Sequence, residues 1–77
     1  MSQHLVRQID KLKSMILTLG GHVEQALQQA ITAIETRDVE LARRVIDADE
    51  VIDQMEVDVE EECLHTIALY QPVASDM

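Results

Sequence analysis

The stretch ITAIETRDVELARRVI, residues 31–46, decides the fold. Before it, apolar residues recur at Leu5, Ile9, Leu12, Ile16, Leu19, Val23, Leu27, Ala30 and Ile34. After it they recur at Leu41, Val45, Ala48, Ile52, Met55, Val59, Cys63, Ile67 and Tyr70. Steps that are mainly three and four mark one face of an amphipathic helix in each segment. The rhythm breaks only at Thr36-Arg37-Asp38, where Asp38 can cap a new helix and Glu40 suits the positive end of its dipole. So short a connection makes the two helices antiparallel neighbours.

This reading predicts a helix over about 3–36 and a second over about 39–70. Gly20-Gly21 does not disturb the phase, so the first helix is expected to run through the pair despite its low propensity, and the glycines read as room for a neighbouring helix. Gln71-Pro72 ends the second helix, because the residue before proline avoids the helical region. Pro72 suits the first turn of a third helix beginning at 72–77. The expected fold is all-α: an antiparallel helical hairpin forming a single partial domain over residues 1–77.

Composition agrees. Leu, Ile, Val, Ala and Met dominate the 47% hydrophobic residues, Tyr70 is the one Phe, Trp or Tyr, and two Gly and one Pro leave little for turns. A β-rich domain is disfavoured. A single core below about 70–80 residues rarely supplies more than about 3–5 kcal/mol, so further stabilisation by self-association is expected. Cys63 is the only cysteine, which excludes an intrachain disulfide and fits a reducing setting. Met1 to Lys13 holds no apolar signal segment, and no window is apolar enough to span a membrane.

The charge of −9 is unevenly placed: residues 1–37 carry a net +1 and residues 38–77 a net −10. This disfavours nucleic acid and anionic lipid, and favours cations and basic protein surfaces. Within the acidic half, Asp49, Asp53, Glu56 and Glu60 are spaced four, three and four apart. On a helix they fall in a stripe about 60° wide, centred about 80° from the apolar stripe. Like charges so arranged repel. Spacing alone leaves two readings open: a solvated acidic face, or a carboxylate site for a hard or borderline cation.

Other groups are less specific. Asp47, Asp58, Glu61 and Glu62 are expected on the outer face, with Arg43 and Arg44 able to pair with Asp47. Glu62-x-x-His65 has the spacing of helical di-iron ligands, but occurs once and is expected to face away from the core. His4 and His22 have no partner at ligand spacing. Cys63 reads as a buried thiol. No phosphate-binding glycine loop and no paired-cysteine motif occurs, and no enzyme is expected.

The second segment resembles the PhoU family. The resemblance lies in Val45-x-x-x-Asp49-x-x-Ile52-Asp53-x-x-Glu56-x-x-x-Glu60 and in Cys63-Leu64 followed by Ile67-Ala68-Leu69-Tyr70-Gln71-Pro72-Val73-Ala74-Ser75-Asp76. The first segment is similar too, in Val23-Glu24-x-Ala26-Leu27-x-x-Ala30. The resemblance implies a repeat of three helices, of which this chain holds two and the start of a third. It implies a cytoplasmic regulator of phosphate uptake and phosphate signalling, acting with a phosphate ABC transporter and a sensor kinase. It also implies metal at Asp49 and Asp53, with Glu56 and Glu60 continuing the stripe; iron, zinc and manganese are the family's metals. The family's further acidic motif on its third helix, and its second repeat, have no counterpart in the 77 residues. A homo-oligomeric helical bundle is the expected assembly, most simply a two-fold dimer. A helical interaction module with an acidic docking face and no metal is the alternative.

Overall fold

A computed structural model describes residues 3–70 and shows two helices, α1 (Gln3–Thr36) and α2 (Val39–Tyr70), packed as an antiparallel hairpin. The expected third helix at 72–77 lies outside the described residues. The hairpin is a rod of 60 × 20 × 14 Å. Its radius of gyration is 17.9 Å, against about 11–12 Å for a compact domain of this length.

The turn is built from its own backbone. The Asp38 N–H donates to the Ala33 carbonyl at 2.9 Å and the Arg37 N–H to the Ile34 carbonyl at 3.4 Å. This is the paired closure of a Schellman motif, which requires a left-handed residue between the helices. Arg37 supplies it, with φ of 54°. Asp38 then starts α2: its Oδ1 accepts from the Leu41 N–H at 3.0 Å and its carbonyl from the Ala42 N–H at 3.1 Å. One residue thus closes the first helix and caps the second. Glu40 occupies the first turn, as expected from the dipole.

The seam between the helices follows a seven-residue period. On α1 the covered positions include Leu5, Leu12, Leu19, Ala26 and Ala33; on α2 they include Val45, Ile52, Val59 and Thr66. A strict seven-residue repeat drifts about 20° per heptad on a straight helix, and two such helices favour a left-handed supercoil. Only Ala33 and Ile52 are buried among the described residues, at 5% and 7% exposure.

This period corrects the apolar face drawn from sequence. Ile16, Val23, Leu27 and Ile34 were expected in the seam but are exposed, at 47%, 45%, 60% and 77%. Gln8, Met15, Ala26 and Ala33 take their place. On α2, Ala48 and Ile67 are exposed while Glu62 and Thr66 are covered. The physical reason is that α1 has more apolar surface than one neighbour can cover. Its apolar band is wide enough for two contacts, and the heptad positions meet α2.

Gly20 and Gly21 lie within continuous helix, as expected, and neither has a positive φ. A Cβ at either would meet nothing within 4 Å. The close neighbour expected at the glycines is therefore not α2.

Candidate functional site

Asp49, Asp53, Glu56 and Glu60 are all exposed on α2. The helical phase places them about 80° around from the seam, in the direction in which the chain advances. The exposed residues Ile16, Val23, Leu27 and Ile34 of α1 lie about 65° from the seam in the same rotational sense. Because the helices run antiparallel, equal rotations bring both stripes to one side of the hairpin. Near the turn this side is a groove of about 390 Å³ lined by Ala30, Ala33, Ile34, Val39, Ala42, Val45 and Ile46. The open side therefore has an apolar wall on α1 and, beyond Ile46, an acidic wall on α2.

The opposite side mixes polar and apolar side chains. Its groove is lined by Lys11, Ser14, Thr18 and Asp58 around Met15, Met55 and Val59. A second concavity adjoins Glu61, Glu62 and His65. Here the sequence reading needs a second correction. Glu62 was expected to face outward, but its side chain lies at the seam, only 19% exposed. Gln8 Nε2 donates to Glu62 Oε1 and, at 3.1 Å, to Thr66 Oγ1. Lys11 Nζ lies 3.3 Å from the same Glu62 oxygen. Thr66 Oγ1 in turn donates to the Glu62 carbonyl at 2.8 Å. The Gln8 hydrogen bond is the main influence holding the Glu62 carboxyl below its ordinary value of 4.5. Burial opposes it; Lys11, by hydrogen bond and charge, and His65, by charge, reinforce it.

The cause of the correction is again the seven-residue drift. Glu62 follows Met55 by seven and Gln8 precedes Met15 by seven, so both continue the seam where an apolar stripe of mixed spacing would leave it. That repeat was the sequence signal that could have found them. His65 is exposed, so Glu62 and His65 do not converge as di-iron ligands would. Arg43 pairs with Glu40 at 4.0 Å on the α2 surface, and not with Asp47 as expected from sequence. Asp58 accepts from Gln54 Nε2 at 2.9 Å. His4, expected to be without a ligand partner, packs its ring against Tyr70, with centroids 6.1 Å apart. Cys63 is half-buried and free.

Carboxylate oxygens are the right donors for a hard or borderline cation. Asp49 and Asp53 are one turn apart and can share one ion between them. Among the described residues, however, no group of three or more His, Cys, Asp or Glu side chains converges well enough to hold a metal ion. The described hairpin by itself does not fit a closed metal centre. No helix among the described residues is long and apolar enough to cross a membrane.

Two long antiparallel helices with one open, half-apolar and half-acidic side define a helical-bundle module with room for a further element. Residues 16–77 match the PhoU domain family, and the chain belongs to that family. It is similar to the phosphate-specific transport system accessory protein PhoU of Escherichia coli K12, with 43% identity over 70 residues, 91% of this chain and 29% of that protein. The PhoU homolog of Aquifex aeolicus is 38% identical over 73 residues, 95% of this chain and 33% of its own length. A Thermotoga maritima homolog is 30% identical over all 77 residues and 33% of its own length. The chain thus spans about a third of the length of these relatives. No solved structure matches it.

Proposed function

We propose that the chain is a non-enzymatic accessory of phosphate uptake, working in the cytoplasm on a phosphate ABC transporter and, through it, on phosphate signalling by a sensor kinase. One observation carries this reading: 43% identity through 91% of the chain to a protein named as an accessory of the phosphate-specific transport system. The open side of the hairpin supports it, since an accessory protein acts by contact and needs uncovered surface. The test is phosphate uptake in cells that lack their own full-length accessory protein. Expression of the chain is expected to change the uptake rate in phosphate-replete medium. Unchanged uptake with the chain folded and abundant overturns the proposal.

The acidic wall adds a metal-binding proposal. Asp49 and Asp53 contribute two carboxylates to a cation such as iron, zinc or manganese, Glu56 and Glu60 extend the negative field, and the remaining ligands come from outside the described hairpin. Bound-metal analysis and calorimetry on the wild type and on Asp49→Ala/Asp53→Ala test it. Equal metal content in the two counts against the site.

A second reading is favoured by the exposure of all four acids. Here the acidic wall docks a basic protein surface and no metal takes part. This version gives a complex that weakens steeply with salt and ignores chelator. Under either reading we propose that the chain self-associates, because the described hairpin buries only Ala33 and Ile52.

A further inference from the structure

We propose that Gln8, Lys11, Glu62 and Thr66 form a phase lock: a set of polar contacts that holds α1 at the rotation in which its seven-residue stripe, and not its larger apolar stripe, meets α2. The inference is independent of the phosphate reading and of any self-association.

Burial alone does not select the observed rotation. Ile16, Val23, Leu27 and Ile34 are exposed, while Gln8, Met15, Ala26 and Ala33 lie in the seam. Turning α1 about its axis by about 65° brings the larger residues onto α2. Apolar stabilisation grows with the area covered, so that turn is favoured unless something specific to the observed rotation opposes it. At the turn end the connection at residues 36–38 holds the backbones. At the free end the polar contacts do.

Among the described residues, the side-chain hydrogen bonds and the ion pair that join α1 to α2 all lie in this one cluster. The Gln8 amide nitrogen donates to Glu62 Oε1 and to Thr66 Oγ1, two acceptors one turn apart on α2. The Thr66 hydroxyl proton is committed to the Glu62 carbonyl, so its oxygen is left to accept from Gln8. Lys11 Nζ approaches the same Glu62 oxygen at 3.3 Å. Each bond orients the next, as in a satisfied polar network. The Glu62 side chain is only 19% exposed, and a carboxylate so placed is costly without its donors.

Rotation removes these contacts. The helical phase puts Lys11 about 70° from the seam, on the side away from the larger stripe. Turning that stripe onto α2 carries Lys11 to about 135° from α2, out of reach of Glu62. The same turn moves a side chain lying about 5–6 Å from the helix axis by about 6 Å, which breaks the Gln8–Thr66 hydrogen bond. The lock thus keeps the larger stripe on the open side of the hairpin, whatever element covers it there.

The test is nuclear magnetic resonance on the 77-residue chain, reading methyl contacts between α1 and α2. Mixed-labelled samples separate contacts within a chain from contacts between copies, and circular dichroism follows helicity. Ala26 and Ile52 line one groove, and in the wild type their methyl groups are expected to be in contact, with none between Leu27 and α2. Gln8→Glu sets a second carboxylate against Glu62, and is expected to abolish the Ala26–Ile52 contact and bring the Leu27 methyls onto α2. Lys11→Gln changes a side chain that is 60% exposed, so the hairpin stays folded, and it is expected to give the same shift in part. Gln8→Glu combined with Glu62→Gln again opposes one carboxylate with one amide, and is expected to return the wild-type contacts. An Ala26–Ile52 contact that persists unchanged in Lys11→Gln overturns the lock. So does a Gln8→Glu chain that keeps this contact and only frays at residues 3–12 and 62–70, since the cluster is then a staple of the free end. A swapped chain that keeps the rotated contacts, or a wild type with Leu27 already on α2, overturns it as well.

Discussion

Arg37 holds the one positive φ among the described non-glycine residues, at 54°, and the hairpin turns on it. For a residue with a Cβ the left-handed conformation costs about 1–2 kcal/mol, because Cβ crowds the following carbonyl. Glycine removes that crowding but gives the unfolded chain more freedom, a counter-cost of about 0.5–1 kcal/mol. Arg37→Gly is therefore expected to stabilise the hairpin by about 0.5–1 kcal/mol net. For a domain of this size that raises Tm by about 3–6 °C. Arg37→Ala keeps the Cβ and is expected to change stability by less than about 0.5 kcal/mol. The assay is thermal melting followed by helical circular dichroism, with all chains at one concentration because any self-association makes Tm concentration-dependent. An Arg37→Gly chain that melts at or below the wild type refutes the reasoning. So does an Arg37→Ala chain that gains as much as the glycine variant, since the gain then comes from losing the guanidinium.

Three further outcomes follow from the same structure. Asp38→Ala removes the acceptor of the Leu41 N–H and is expected to cost about 1 kcal/mol in thermal melts, with Asp38→Asn costing a few tenths. Ile52→Ala, at the most buried position of α2, is expected to cost about 2–3 kcal/mol in urea unfolding. Ile46→Ala, 69% exposed, is expected to stay within about 0.5 kcal/mol unless self-association covers it. The Glu62 carboxyl is depressed below 4.5 in the folded chain, so its contribution is fully present above that pH and is lost as pH falls through the lower folded value. Stability measured between pH 6 and pH 3 is thus expected to fall more steeply for wild type than for Glu62→Gln.

The hairpin was legible in the sequence because its cues are local. Asp38 sits where a cap belongs, the apolar rhythm stops at Thr36 and resumes at Leu41, and no other break is strong enough to matter. Which apolar residues face α2 was less legible. Leu5, Leu12 and Leu19 satisfy both a mixed three-and-four spacing and a strict seven. Beyond them the two patterns part: Val23, Leu27 and Ile34 follow one, Ala26 and Ala33 the other. Side-chain size pointed to the larger residues, but the small ones lie in the seam at the turn end, where the connection at residues 36–38 holds the backbones together. Glu62 was misplaced for a related reason, since a charged residue is expected outside until a specific partner such as Gln8 or Lys11 is seen beside it. The acidic stripe was legible as a stripe. What a sequence without its partner cannot give is the other side of the groove, which depends on chains or segments beyond residues 3–70.

The central proposal is that this hairpin acts by binding to a phosphate transporter. Its most direct test is the affinity of the purified 77-residue chain for a purified phosphate-specific transport complex, measured by surface immobilisation or calorimetry. The account predicts saturable binding with a Kd below about 100 µM, about 5.5 kcal/mol or stronger, weakened by Asp49→Ala/Asp53→Ala. A folded chain that shows no binding at that concentration, under conditions where a full-length PhoU relative does bind, contradicts it.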